Sequence, residues 1–340
     1  MRKNRFVRWL LTPVRAYREY KRLKVAYPEA VENLRQTGIT LAETQDQLVH
    51  TANERDHLRS LVADYSRFAP PGHFYSPVPS AGDVERHVAG CEHRSFLAPL
   101  PAINMDDPTQ LQMLECLKPY YSAVPFKAAA TEGLLYHFDN PHYSYTDGIV
   151  LFCMLNHFRP RRLIEIGSGF STCAILDTNR ICIDSKIQVT SIEPYPELLR
   201  SLVAKSNAPL TIVESKLQDT SIEIFDQLER GDILFIDSTH VSKLASDVNY
   251  IIFEILPRLK PGVIVQIHDI YLAFEYPDSW LIEGRAWNEA YLLRAFLEYN
   301  ERFRILLFIS YLQNAHEAWF QNHMPETLLN KGGCFWMEKL

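Results

Sequence analysis

Seven short apolar runs between residues 163 and 339, the first five alternating with helix-compatible segments, constrain the fold of this chain more than any other feature. They are LIEI at 163–166, QVTSIE at 188–193, LTIVE at 210–214, DILFID at 232–237, VIVQIHD at 263–269, FRILLFI at 303–309 and CFWMEK at 334–339. Runs of this length, rich in Ile, Val and Leu and lacking a polar alternate, suit strands buried on both faces. Their alternation with helices predicts a parallel sheet covered on each side, an α/β class. Helical segments near 108–119 and 146–158 lead into the first run. The last two runs are separated by WFQNHMPETLLNKGG, room for a short helix and a glycine turn, which predicts an antiparallel final pair.

Residues 1–66 read as helical, with Phe6, Leu10, Val14 and Tyr17 at helical spacing and arginines on the remaining face. Pro13 and Pro28 predict a break into pieces. From Thr40 to Tyr65 a loose heptad sets Leu41, Leu48 and Val62 in one register and Leu58 and Tyr65 in the other, diluted by Arg55, Thr44 and Thr51. A short coiled coil, with homo-oligomer formation through it, competes here with a solvated helix packed on its own domain. The proline-rich stretch FAPPGHFYSPVPSAGDV at 68–84 forbids regular structure, and His73, Phe74 and Tyr75 suit a lid better than a linker. The expected organisation is a basic helical segment at 1–66, a linker, lid and cap at 67–125, and a catalytic domain at 126–340.

Charge excludes one partner class: 35 Lys and Arg against 41 Asp and Glu, net -6, offer no field for nucleic acid. Locally the balance reverses. Arg2, Lys3, Arg5, Arg8, Arg15, Arg18, Lys21, Arg22 and Lys24 stand against Glu19 alone, which suits an anionic membrane surface or a partner protein. The six cysteines are widely spaced, without a CxxC or zinc pattern, and no run reaches the ~20 apolar residues that span a bilayer. A cytoplasmic location is expected, with residues 1–24 touching the inner membrane surface as an alternative.

The chemistry begins at RRLIEIGSGFSTCAIL. Gly167, Ser168 and Gly169 after a strand make a tight turn where a ligand can lie against backbone. Thr172 stands where a dinucleotide fingerprint wants a third glycine, and Glu165 sits awkwardly beside phosphates, so the turn suits a cationic ligand better than a pyrophosphate. Glu193, at the next strand end, can accept from both hydroxyls of a ribose, and Gln218 and Asp219 could read an adenine amino group. Asp237 with His240, and His268 with Asp269, end the fourth and fifth strands, which converge on the ligand crevice of an open parallel sheet. Asp237 and Asp269 could hold a hard divalent cation, or His268 or His240 could act as general base. Beyond them, Tyr271, Glu275, Tyr276 and Arg285 lie where an acceptor would enter, in an aromatic and polar stretch suited to a sugar. The segment from about Trp287 has the spacing of a core-facing helix.

Through EIGSG, SIEP, LFIDSTHVSK and IHDI, in that order, residues 126–340 resemble the class I S-adenosylmethionine-dependent methyltransferases. Within them the chain looks most like bacterial methyltransferases sharing GHFYSP, YSYTDGIVL, EIGSGFST, DSTHVSK with SDVNY, and HDIYLAFEYP with WNEAYLLRAFL. The resemblance implies a seven-stranded Rossmann-like sheet with an antiparallel last strand and S-adenosylmethionine as cofactor. It implies Glu165, Gly167 and Gly169 along the methionine portion, Glu193 at the ribose and Asp237 beside the sulfonium. Asp237 and Asp269 match the acids that hold magnesium in related sugar and catechol O-methyltransferases, while His268 replaces an acid often found there. The implied activity is O-methylation of a saccharide or glycan precursor, in polysaccharide biosynthesis. The alternatives are an NAD-dependent oxidoreductase and a catalytically inactive methyltransferase-like scaffold.

Overall fold

The structure, a computed structural model, describes residues 3–65, 68–91, 97, 100–204 and 206–340; the side chains of 3–12, 14, 64, 65 and 91 lie outside the described set. Its contacts divide the chain into a unit Met1–Ser80 and a unit Ala81–Leu340.

The first unit is built on one helix, α1 (Lys3–Tyr65). Pro13 and Pro28 lie inside it, so the expected break does not occur. Each proline removes one donor, and on a solvent-facing helix water can take the carbonyl left behind. Arg2 lies outside the described residues, as do the side chains of Lys3, Arg5, Phe6, Arg8, Leu10 and Val14; Arg15, Arg18, Lys21, Arg22 and Lys24 are exposed. After α1 the proline-rich stretch closes on itself, with Gly72 N–H donating to the Val78 carbonyl at 2.9 Å and the Phe74 and Tyr75 rings 4.1 Å apart.

The second unit opens with α2 (Ala81–Cys91), α3 (Asp107–Tyr121) and α4 (Tyr145–Phe158), then alternates. β1 (Arg162–Ile166), α5 (Phe170–Cys182), β2 (Gln188–Ile192), α6 (Glu197–Val203), β3 (Leu210–Val213) and β4 (Ile233–Ile236) follow in turn. Next, α7 (Asp247–Tyr250) passes through a π-helical turn (Ile251–Ile255) into α8 (Leu256–Arg258) and β5 (Ile264–Ile267). α9 (Asp278–Ile282), α10 (Glu289–Leu297), β6 (Phe303–Phe308), α11 (Ile309–Ala315), α12 (Glu317–His323) and β7 (Phe335–Lys339) complete the chain.

All seven expected strands form, in the order β3-β2-β1-β4-β5-β7-β6. β1 to β5 pair in parallel, and β7 runs antiparallel between β5 and β6. β4 and β5 are buried along their full length, as their unbroken apolar runs require. α3, α4 and α5 cover one face through Leu114, Phe152 and Ile175; Ile251, Ile255 and Leu293 belong to the core of the other. Chain direction across the sheet reverses between β1 and β4, and in such sheets ligands bind outside the carboxyl ends of the strands at that point. Among the described residues, no helix is long and apolar enough to cross a membrane.

Candidate active site

At the carboxyl ends of β1, β4 and β5 lies a cleft of about 830 Å³. Gly167, Ser168 and Gly169 form one wall. Gly167 has φ +80, and a Cβ there would fall 1.8 Å from the Asp237 carbonyl oxygen, so the turn after β1 rests directly on the end of β4. Only glycine meets both conditions.

Glu165 does not line this cleft. It is fully buried behind the turn and accepts from Ser171 Oγ at 2.8 Å, Thr172 Oγ1 at 2.6 Å and Ser191 Oγ at 2.6 Å. Thr172 Oγ1 in turn accepts from Gly169 N–H at 3.1 Å. Burial pushes the Glu165 carboxyl up to about 7, against the pull of the three hydroxyls. Glu165, expected along the methionine portion, braces the glycine turn from behind in this structure. The departure from the dinucleotide fingerprint at Thr172 is a link in that brace.

Glu193 does reach the cleft, where it accepts from Tyr195 N–H at 2.9 Å and Ser168 Oγ at 3.4 Å. Gln218 and Asp219 do not line it: Gln218 Nε2 donates to the Ala245 carbonyl at 2.7 Å and Asp219 is exposed. Their place in the loop after β3 ties that loop to the one after β4.

Asp237, His240, His268 and Asp269 come together as expected. Asp237 Oδ1 lies 3.5 Å from His240 Nε2 and 3.3 Å from His268 Nδ1; Asp269 approaches the same two rings at 3.6 Å each. Two further acids complete the cluster. Glu289 Oε2 lies 2.8 Å from His240 Nδ1, and Asp147 Oδ2 lies 3.6 Å from His268 Nε2. Burial alone would depress both imidazoles. For His240 the Asp237 and Glu289 contacts outweigh it and raise the ring to about 10, and for His268 the charges of Asp269 and Asp237 raise it well above its ordinary value. Burial also pushes Asp237 up, but the two imidazoles reverse this and hold it well below the usual carboxylate range. Burial raises Asp269, against the pull of the two imidazoles. Asp237, His240 and Asp269 each offer one ligand atom, all within 4.8 Å of one another.

His240 and Asp269 both adopt positive φ, +59 and +57, a strained backbone for side-chain-bearing residues and one that recurs at functional sites. The loop carrying His240 is pinned to the start of α10: Asn288 and Glu289 donate their N–H groups to the His240 carbonyl at 3.1 and 3.2 Å. Gly333 seats the other loop, for a Cβ there would come within 3.0 Å of Asp269 Cα.

Of the expected acceptor residues, Tyr271 and Arg285 line the cleft, with Trp280 and Trp287 beside them. The Arg285 guanidinium sits 4.4 Å from the Trp280 ring and 5.1 Å from the Trp287 ring, and Trp287 packs 4.4 Å from His240. Glu275 and Tyr276 fall outside this cleft. They line a neighbouring cavity of about 510 Å³ that shares Tyr271 and Trp280 with it and also includes His87, Asp278 and Lys331. Tyr276 is buried, with its hydroxyl accepting from Ala290 N–H at 3.0 Å.

Sequence reasoning did not single out Asp147, Asn140, His142 or Asn330 as site residues, and it read the segment from Trp287, which includes Glu289, as core. Asp147 and Glu289 sit on helices, and only an acid within an apolar helical face, as in YTDGIVLF, hinted at the first.

A family model described as a methyltransferase domain matches residues 164–270. An uncharacterised protein of Archaeoglobus fulgidus is 31% identical over 155 residues, covering 44% of this chain and 70% of that protein. Among solved structures, the S-adenosylhomocysteine-bound Podospora anserina methyltransferase PaMTH1 is 14% identical, with coverage of 77% of this chain and 97% of that one and a TM-score of 0.39. A Thermobifida fusca protein described as a putative methyltransferase is 12% identical, with coverage of 80% of this chain and 98% of that one and a TM-score of 0.38. The chain therefore shares a family with this archaeal protein and carries a methyltransferase domain over residues 164–270, a span that runs from the glycine turn to the ends of β4 and β5.

Proposed function

We propose that this protein methylates a hydroxyl oxygen of a saccharide or glycan precursor. The observation that carries the reading is the close approach of Gly167 to the Asp237 carbonyl, by which the glycine turn and the charged cluster line one cavity. Gly167, Ser168 and Gly169 present backbone without bulky side chains, and Glu193 presents a carboxylate, a set that fits a nucleoside carrying a ribose and an amino-acid tail. When bound, S-adenosylmethionine supplies a sulfonium methyl group for in-line transfer to oxygen. The cleft contributes position, which for well-oriented reactants is worth on the order of 7 to 11 kcal/mol.

The acceptor hydroxyl must also lose its proton. Two imidazoles held protonated by Asp237, Asp269, Glu289 and Asp147 are poor bases at neutral pH, and the acids outnumber them. A hard divalent cation such as magnesium fits this surplus: Asp237, Asp269 and a deprotonated His240 would hold it, with Glu289 fixing the ring. There it would lower the pKa of a bound hydroxyl. A second reading assigns proton abstraction without metal to the neutral form of His268, whose buried Nε2 makes no hydrogen bond among the described residues; the acids around the ring would confine that activity to high pH. Tyr271, Trp280, Arg285 and Trp287 would receive the sugar, and Glu275 and Asp278 in the adjoining cavity suit its hydroxyls.

The test is methyl transfer by the purified full-length chain to nucleotide sugars and oligosaccharides, with the product bond assigned by NMR. A methoxy group on sugar is expected, lost in EDTA and restored by magnesium. Transfer confined to amines or thiols overturns the acceptor reading, and EDTA-insensitive activity replaces the cation with His268. Absence of S-adenosylmethionine binding to folded protein overturns both.

A further inference from the structure

Helix α1 repeats apolar residues every seventh position far beyond the expected stretch. Tyr20, Tyr27, Leu34, Leu41, Leu48 and Val62 share one register, interrupted by Arg55. Three residues on, Leu23, Ala30, Leu58 and Tyr65 share a second, with Thr37, Thr44 and Thr51 between them. A seven-residue repeat of this kind gives a seam for left-handed supercoiling with another helix. Tyr20, Leu23, Tyr27, Leu34, Leu41, Leu48 and Leu58 are between 53% and 73% exposed. An apolar seam of about 70 Å, at 1.5 Å per residue, is far longer than a helix leaves in water without cause. Pro28, next to Tyr27, falls outside the seam.

The threonines that dilute the pattern can be buried at no cost in unmet hydroxyls. Thr37, Thr44 and Thr51 each donate to the carbonyl four residues back, to Asn33, Thr40 and Gln47 at 2.7, 2.7 and 2.9 Å. Charges at the seam edges select the partner and its direction. In a parallel, in-register pair each residue just before the first register faces the residue five further along on the other copy. Glu19 then meets Lys24, and Glu54 meets Arg59, while the remaining edge pairs, such as Gln47 with Ala52, carry no like charges. Arg55 within the seam favours two strands over three, because a two-stranded seam lets a long cation reach water.

We propose that residues 20–65 pair with the same helix of a second copy as a parallel, in-register, two-stranded coiled coil. The assembled protein would carry two copies of the cleft, and the inference is independent of what the cleft methylates.

The test is sedimentation equilibrium of the full chain, with the twofold mass expected. The double variant Leu41→Lys/Leu48→Lys should be monomeric while keeping its near-UV spectrum. Leu58→Cys should crosslink to its own copy on mild oxidation, above the background of the unsubstituted chain; a reversed pairing would place it far from itself. A monomeric or trimeric wild type, a dimer that survives the double lysine variant, or a dimer without the Leu58→Cys crosslink overturns the proposal. A chain monomeric in solution that cosediments with phosphatidylglycerol vesicles through residues 1–24 overturns it in favour of a membrane surface.

Discussion

His240 Nδ1 lies 2.8 Å from Glu289 Oε2, and this buried contact turns the opposite nitrogen toward Asp237 and Asp269, 3.5 and 3.6 Å away. A carboxylate that orients an imidazole in this way fixes its tautomer and sharpens the site it faces, whether that site holds a proton or a metal ion. The orienting acid comes from α10, the imidazole from the loop after β4, and the facing acids from β4 and β5.

Glu289→Gln keeps the shape of the side chain and removes its charge. Magnesium affinity should fall about tenfold or more, as it does when an outer-shell partner is lost. Calorimetric titration with magnesium reads the change, and an unshifted thermal transition shows that the fold survives. Affinity equal to wild type would remove Glu289 from the site.

Gly167→Ala should lose about 2 kcal/mol or more of stability, from positive φ together with a Cβ driven against the Asp237 carbonyl. Urea denaturation measures the loss, and S-adenosylmethionine affinity should fall with it. A variant as stable as wild type would mean that the turn can open away from β4.

Glu165 makes stability depend on pH in a direction opposite to most carboxylates. Its folded value is raised to about 7 from an ordinary 4.5, mainly by burial. Between those values the folded chain holds a proton that the unfolded chain has released, so this group's contribution declines as pH rises through the window and levels off above 7. At 1.36 kcal/mol per unit the full change is about 3 kcal/mol. Urea midpoints of wild type and Glu165→Gln across pH 4 to 8, read as a difference of about that order, isolate it; parallel curves would mean that the three hydroxyls fully compensate for burial.

Arg285→Ala removes the guanidinium between Trp280 and Trp287. Without the guanidinium that these two rings hold in the cleft, the acceptor KM should rise roughly tenfold, about 1.4 kcal/mol of binding. S-adenosylmethionine affinity should stay the same, because Arg285 is held among the aromatic residues Trp280 and Trp287 and not by the glycine turn. Equal loss of both affinities would place Arg285 in the cofactor site.

The strands were legible because burial on both faces leaves no room for polar residues, so composition over four to six positions defines them; all seven form within a residue or two of the expected ends. The glycine turn and the strand-end residues Glu193, Asp237, His268 and Asp269 were legible for a related reason, since an open parallel sheet delivers its strand ends to one crevice. What local pattern could not decide was direction and distance. Glu165 ends a strand as Glu193 does, yet the hydroxyls of Ser171, Thr172 and Ser191 draw it inward. Gln218, Asp219, Glu275 and Tyr276 stand near the right elements and outside the cleft. Asp147 and Glu289 join the cluster from helices distant in sequence, each on an apolar face that reads as core until the sheet brings it against an imidazole. The sequence alone determined which strands form and which chemistry their ends carry, because both follow from local burial. Which acids face the cleft and which brace it was decided by tertiary packing, because a side chain's direction depends on partners the chain supplies from elsewhere.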